Sequence, residues 1–402
     1  MTRVRSLVSA AVGILIVAGA AGFVLSTVTQ VTGGTRSAAV AALLKGDLAA
    51  TDLSHRVERA VGDRLPFRRP FRRIRGWVDF SFFRTAPIPD VFVGRSRWLF
   101  YRQELNDYRR AACDRLTEVG RLAQQLSELK DVVESSGRRL VFTVAPNKST
   151  IYPEHVGLPR AACDRSLYDL MTEALDETTR TSFVRLDDVL RRGKAEKPVY
   201  FQFDTHWNGE GAALAARAIV DHVVPGASDR YFSRVARRTD RHPGDLARMM
   251  GLVLMEPDPV YAAESDGLKI RACEGKAGTS PSVIYRESTA RSSSPNGLLS
   301  PVVVYHDSFL LVPLLLFRGA FERVDAYETW VDQRKVIPAP ASEQSLRRAR
   351  IVLVEIVERD LAILDIDTER VRSILSGAAQ DPVPIVPTCT QEATGHTSAR
   401  RS

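Results

Sequence analysis

Short apolar runs alternate with longer stretches of helical spacing along much of this chain, and that alternation most restricts the fold it can adopt. Residues 139–145, 182–186, 198–203, 302–305 and 350–355 read as strands, each a brief run rich in apolar residues with polar or turn-forming neighbours. Residues 116–136, 167–179, 209–223 and 361–375 carry the leucine, valine and alanine spacing of helices. Strands that take turns with helices of this length predict an α/β sandwich on a mainly parallel sheet. Residues 229–281 read as a less regular insert, 286–297 as a serine-rich polar loop, and the Pro-, Thr- and Ala-rich tail from Gly377 as disordered.

Sheets of this kind place their chemistry at the carboxyl ends of strands, which directs attention to two short stretches. One is Phe203-Asp204-Thr205-His206-Trp207; the other is Tyr305-His306-Asp307-Ser308-Phe309, at the end of an apolar run. Together they supply an acid, a base and a hydroxyl. A serine hydroxyl is a poor nucleophile at neutral pH unless an imidazole takes its proton. That imidazole works best when a carboxylate sets its tautomer and stabilises its charged form. The spacing Asp-x-His suits a turn, where side chains one residue apart can converge. Taken alone, an Asp-x-His is more often a surface turn and an Asp-Ser a helix cap.

With their neighbours, the two stretches resemble a known group. Val93-Gly94 with Trp98-Leu99-Phe100-Tyr101 comes first, then Ala145-Pro146-Asn147-Lys148 with Tyr152-Pro153-Glu154. Asp204-Thr205-His206-Trp207 with Gly211-Ala212 follows, then Asp307-Ser308-Phe309 and the segment from Glu355 to Arg359. In that order they resemble the SGNH-hydrolase-like O-acetyltransferases of polysaccharide export, the alginate O-acetyltransferase (AlgX/AlgJ-like) family. The resemblance implies a three-layer α/β/α sandwich with circularly permuted motif order, since the serine comes last. It also implies a triad of Ser308, His206 and Asp204. The family has Gly where this chain has His306, a side chain that could crowd the turn exposing the serine.

The resemblance further implies an acetyl group passed through a Ser308 ester to hydroxyls of a polysaccharide acceptor, with a multipass membrane O-acyltransferase as donor. No cofactor and no metal is expected. Asn147, Lys148, Tyr152 and Trp207 are candidates for binding substrate or the oxyanion. The ordinary alternatives are an ion-paired lysine and a tryptophan packed beside a helix start. Glu355, Glu358 and Arg359 read as a salt-bridged corner.

Arg3 and Arg5 precede residues 7–28, an uncharged and mostly apolar stretch of roughly the 20 residues a spanning helix needs. Positive charge stays inside, so the rest is expected outside the cytoplasm, held to the membrane by that helix. The expected organisation is an anchor over 1–28, a stalk and docking segment over 29–84, the SGNH-like domain over 85–376 and a tail over 377–402. That tail is too short for an appended carbohydrate-binding module, which brings the resemblance nearer to AlgJ-like than AlgX-like members. An exported chain with Cys113, Cys163, Cys273 and Cys389 allows two disulfides. Cys113 and Cys163 share the pentapeptide Ala-Ala-Cys-Asp-Arg and flank the first core unit, so they are expected to pair.

A chain of 402 residues with 44% hydrophobic content can bury a large core. Its formal charge of +8 is mostly arginine, concentrated around residues 64–75, where it suits anionic lipid, an acidic polysaccharide or plain solvation. No zinc-finger, helix-turn-helix or RNA-binding motif points to nucleic acid. Three rivals remain at this stage. A carbohydrate acetylesterase would use the same triad, and a non-catalytic polysaccharide-binding scaffold would share the fold. A metallophosphoesterase would use Asp-x-His and His306-Asp307 as metal ligands.

Overall fold

The computed structural model describes residues 68–377 except 110–111, 160–162, 164, 233–234, 264–268, 278–282, 294–297, 332–334 and 340–341, together with 388–390. The apolar stretch at residues 7–28 lies outside this range. Among the described residues no helix is long and apolar enough to cross a membrane.

An eight-stranded sheet organises the chain, with strand order Thr388–Thr390, Lys269–Ala277, Val283–Ser293, Arg323–Val331, Val302–His306, Ile351–Val357, Arg139–Ala145 and Phe183–Val184. The last five of these run parallel to one another, and the first three are antiparallel additions at one edge. Val302–His306 and Ile351–Val357 are buried along their whole lengths. Central parallel strands covered on both faces read as continuous apolar runs for this reason.

Successive side chains point to opposite faces of a strand. Thus Leu140, Phe142 and Val144 enter one core with Val303, Val352 and Val354 and the helices Leu116–Ser135 and Leu167–Ala174. Val141 and Ala145 enter the other, with Val302, Val304 and Leu353 and the helices Leu186–Lys194 and Gly209–Val223. The result is the predicted three-layer α/β/α arrangement. Burial of Leu, Ile, Val and Phe side chains, at about 1.5–3 kcal/mol each, is its main favourable term.

Several local expectations are corrected. Residues 198–203 form no strand and contribute only the isolated bridge Tyr200 to Trp207. Residues 286–297 are not a loop over most of their length, since Val283–Ser293 is a strand paired antiparallel with Arg323–Val331. Its residues are mostly polar and carry no apolar run, so no strand pattern showed there. The stretch 361–375 splits into the strand Leu364–Ile366 and the helix Thr368–Leu375, capped by Asp367. Within the tail, Thr388–Thr390 pairs with Lys269–Ala277 and its register sets Cys389 opposite Cys273. The insert contains a regular hairpin, Val235–Pro243 with Met255–Ala263, bridged by the helix Asp245–Met249. Cys113 and Cys163 are joined, as their shared pentapeptide suggested, with Cα atoms 6.2 Å apart.

Candidate active site

The Asp-x-His loop is a narrow bend closed on itself. Phe201 N–H donates to His206 O at 3.3 Å, and Asn208 N–H donates to Val199 O at 3.1 Å. Within the bend the Asp204 and His206 side chains converge, and His206 Nδ1 lies 2.7 Å from Asp204 Oδ1. The same oxygen accepts His206 N–H at 2.9 Å. Asp204 acts as an acceptor, so the proton of the neutral imidazole belongs on Nδ1 and leaves Nε2 as acceptor. His206 Nε2 lies 2.8 Å from Ser308 Oγ, the distance of an O–H donating to it.

Ser308 starts a short helical turn, Ser308–Leu311, directly after the strand Val302–His306. Asp307 caps the turn, its Oδ1 accepting Phe309 N–H at 2.9 Å. The other oxygen accepts Val357 N–H at 2.7 Å, and the Asp307 N–H donates to Glu355 Oε2 at 3.0 Å. The serine is thereby tied to the end of the neighbouring strand Ile351–Val357. The Phe309 ring packs beside the imidazole, with centroids 4.8 Å apart. The first N–H of a helical turn has no partner within the turn, so the Ser308 N–H suits the developing oxyanion of an acyl transfer. His306 does not crowd this turn; it is buried at the strand end, with Nδ1 2.7 Å from Asp307 O.

The structure adds a second histidine and a second aspartate. Asp204 Oδ2 accepts His242 Nε2–H at 2.8 Å and Asp245 N–H at 2.7 Å. Asp204 is 2% exposed, and burial alone would raise its carboxyl. The hydrogen bonds from His206 and His242 outweigh that and hold it well below the usual carboxylate range. Burial pulls the His242 imidazole down, but its bond to Asp204 wins and raises it. Burial and the Asp204 charge push the Asp245 carboxyl up. Its Oδ1 accepts Thr205 N–H at 2.8 Å, and its Oδ2 lies 3.7 Å from His206 Nδ1. Sequence reasoning missed His242 and Asp245 because they lie in the insert, and one His and one Asp on a hairpin give no spacing signal. Gly244 was the available local clue. A Cβ there would come within 2.3 Å of Phe203 O, so only glycine lets the Asp245 helix approach the loop.

The weaker candidates take up other positions. Lys148 is 1% exposed and donates from Nζ to the carbonyl oxygens of Asp204 at 2.5 Å, Phe201 at 3.3 Å and Gln202 at 3.4 Å. Its amine fastens the loop and is not aimed at a substrate; burial lowers its affinity for the proton. Tyr152 is buried, with its OH accepting Val199 N–H at 3.0 Å and its ring packed at a tilt against Trp98. Trp207 is buried edge-on to Phe309 and offers no face to a sugar. Asn147 lies at the end of Arg139–Ala145, separated from the serine strand by Ile351–Val357. Its N–H donates to Glu358, and its buried Oδ1 has no partner among the described residues.

The expected salt-bridged corner is also corrected. Glu358 accepts Asn147 N–H, Thr150 Oγ1–H and Tyr168 N–H instead of pairing with Arg359. The Arg359 guanidinium lies over the Phe309 ring at 5.4 Å and the Tyr101 ring at 5.6 Å, a cation beside the serine turn.

Among the described residues, Asp204, His206 and Asp245 form the one group whose ligand atoms lie close enough, within 4.8 Å, to share a metal ion. Both Asp204 oxygens already hold N–H donors and His206 Nδ1 faces a carboxylate oxygen at hydrogen-bond distance. The donor set therefore describes a hydrogen-bonded relay better than a ligand cage. The Asp307 oxygens are occupied by backbone N–H groups, so His306-Asp307 does not complete the two-metal cluster considered above.

Residues 91–272 match the family described as "SGNH hydrolase-like domain, acetyltransferase AlgX". Over that span the chain resembles the AlgX/AlgJ-like family. It is 26% identical over 249 residues to a probable alginate O-acetylase AlgJ of Pseudomonas syringae pv. tomato, covering 58% of this chain and 62% of that protein. A Pseudomonas aeruginosa protein described in the same words is 26% identical over 251 residues, covering 60% and 58%. The chain thus spans less than two thirds of the length of these relatives. Among solved structures, the O-acetyltransferase domain of Pseudomonas putida AlgJ superposes with a TM-score of 0.46 at 19% identity, over 72% of this chain and 100% of that one.

Proposed function

We propose that this AlgX/AlgJ-like chain is an extracytoplasmic polysaccharide O-acetyltransferase that works through a serine ester. The observation that carries the reading is the continuous relay from Asp204 through His206 to Ser308, with contacts of 2.7 and 2.8 Å. In the first half-reaction Ser308 Oγ attacks the acetyl carbonyl carbon while His206 Nε2 takes the hydroxyl proton. The tetrahedral oxyanion is received by the Ser308 N–H. As the carbonyl re-forms, the donor's oxygen leaves with the proton from His206, and an acetyl ester stays on Ser308. In the second half-reaction a sugar hydroxyl gives its proton to His206 Nε2 and attacks the ester carbon. Ser308 Oγ leaves and recovers that proton. Asp204 keeps the imidazole oriented and offsets its charge in both halves, and Lys148, Asp245 and His242 hold Asp204 in place.

The acceptor is a hydroxyl of an exported or cell-envelope polysaccharide, supported by the relatives named as alginate O-acetylases. The donor is a multipass membrane acyltransferase. The apolar stretch at residues 7–28 anchors the chain, with the domain from residue 85 outside the cytoplasm. The test uses the full chain and a chromogenic acetyl ester, comparing wild type with Ser308→Ala and His206→Ala. Acetate release confined to wild type, with an acetyl mass on the Ser308 peptide, is the expected result. Equal release by all three proteins would sink the reading. Supplying an oligosaccharide then separates transfer, which consumes the adduct into acetylated sugar, from hydrolysis, which yields only acetate.

A further inference from the structure

A second surface stands apart from the chemistry. On the helix Arg68–Val78 and the turn Asp79–Phe83 that continues it, Ile74, Trp77, Phe82 and Phe83 are each 55–65% exposed, as is Val253 on a neighbouring turn. The Trp77 and Phe82 rings meet edge to face at 5.3 Å. The opposite side of the segment is packed. A Cβ at Gly76 would come within 2.3 Å of Met250 O, and Phe80 is buried among Leu246, Ala247, Met250 and Leu252. Exposed beside the aromatic face are Arg73, Arg75 and Arg84, with Arg75 3.5 Å from Asp79. Arg97 lies over the Phe80 ring.

We propose that this face docks on an anionic lipid bilayer. Clustered exposed aromatics ask for an apolar cover. Tryptophan and phenylalanine flanked by arginine match the boundary of acyl chains and headgroups, where rings are buried and guanidinium groups reach the polar layer. Negatively charged headgroups complement the arginines. The apolar stretch at residues 7–28 precedes this helix in the sequence and, in the reading above, anchors the chain to a membrane. A polysaccharide would instead require aligned hydrogen-bonding groups, which Ile74, Phe82, Phe83 and Val253 lack.

The inference rests on the extracytoplasmic, membrane-held reading above and gives it an orientation. The helix Asp245–Met249 donates its first N–H to Asp204 and ends at the turn that receives Gly76 and exposes Val253. Phe80 meets Phe203, the residue before Asp204, edge-on at 6.1 Å. Lipid contact would therefore set the pose of the triad relative to a bilayer that carries the acyl donor.

The test places the full chain in bilayer nanodiscs of phosphatidylcholine with phosphatidylglycerol. Fluorescence of Trp77 is isolated by subtracting the Trp77→Phe protein and exposed in turn to brominated lipid and to acrylamide. Quenching by brominated lipid with shielding from acrylamide is expected. Arg73→Glu combined with Arg75→Glu should reduce the lipid quenching, as should omitting phosphatidylglycerol. Ready access to acrylamide without lipid quenching would overturn the proposal, since the face would then be in water. Shielding from both would also overturn it, since protein would then cover the face. Acetyl-ester turnover of the Phe82→Ser and Phe83→Ser double variant reports folding and should match wild type. Turnover without lipid quenching in wild type removes the docking alone, and lipid quenching without turnover removes the acyl-transfer reading alone.

Discussion

Ser308 and His206 meet at 2.8 Å, yet the chain holds them by different means. Ser308 stands at the end of a fully buried strand, in a turn capped by the residue before it. Backbone ladder and local cap would place it with little outside help. The Asp204 to His206 bend has no ladder beyond one isolated bridge, so several backbone groups in and just before it are satisfied by side chains from distant segments. Lys148 donates to three carbonyls, Glu256 accepts Gln202 N–H at 2.6 Å and Phe203 N–H at 2.7 Å, and Asp245 accepts Thr205 N–H. A nucleophile can thus sit on regular structure while its base depends on a buried polar network. Each unmade bond in such a network costs more than the bond contributes when made.

Breaking the relay itself should have the largest effect. Ser308→Ala and His206→Ala are each expected to lower acetyl-ester kcat by roughly 10,000-fold or more, with circular dichroism unchanged. Asp204→Asn should cost roughly 1,000-fold and, unlike the serine change, should also lower the melting temperature, because both oxygens accept N–H groups from the bend and its hairpin. Equal melting temperatures for the Asp204→Asn and Ser308→Ala proteins would remove the contrast between the two halves.

Lys148→Met sharpens the contrast, since Lys148 touches only the bend's side of the relay. It should destabilise the fold by about 3 kcal/mol, by leaving carbonyls unpaired in the interior, and lower kcat more than it raises KM. His242→Ala should reduce kcat/KM by roughly tenfold through loss of one donor to Asp204, and His242→Gln, which keeps an N–H there, should recover part of it. Because His242 is raised in the fold, its ionic contribution to stability is complete below its unfolded value of 6.5. It should be lost as pH rises through the higher folded value. Melting curves across that range should flatten in His242→Gln.

The smallest expected effect on rate lies at Glu358, which serves neither half directly. Burial pushes its carboxyl from 4.5 up to about 7 despite three donors. The folded state therefore holds a proton that the unfolded chain has released between those values, and stability should fall as pH rises through that window. The change is at most on the order of 3 kcal/mol. Glu358→Gln should remove the slope with little change in turnover at neutral pH, as read by chemical denaturation at several pH values.

How much of this was legible follows the same division. The strands Arg139–Ala145 and Ile351–Val357 and the helix Gly209–Val223 were readable because two-sided burial and helical periodicity leave an apolar pattern. The strand Val283–Ser293 was not, because residues such as Arg286, Glu287, Ser288 and Arg291 carry no such pattern and pairing came from neighbouring backbone. Lys148 and Tyr152 were visible as unusual residues, yet their roles depended on which carbonyl or N–H the folded chain brings to them.

By itself, then, the order of residues determined the layered α/β core, the serine at a strand end and the pairing of Asp204 with His206. Each of these depends on interactions within a few residues or on a repeated pattern of burial. Tertiary structure alone decided that His242 and Asp245 complete the carboxylate's surroundings, that Lys148 and Glu256 hold the bend, and that Trp77 faces outward while Phe80 packs inward. A hydrogen bond or a packed ring across tens of residues leaves no period in the sequence. It exists only once hydrophobic burial has brought the segments together.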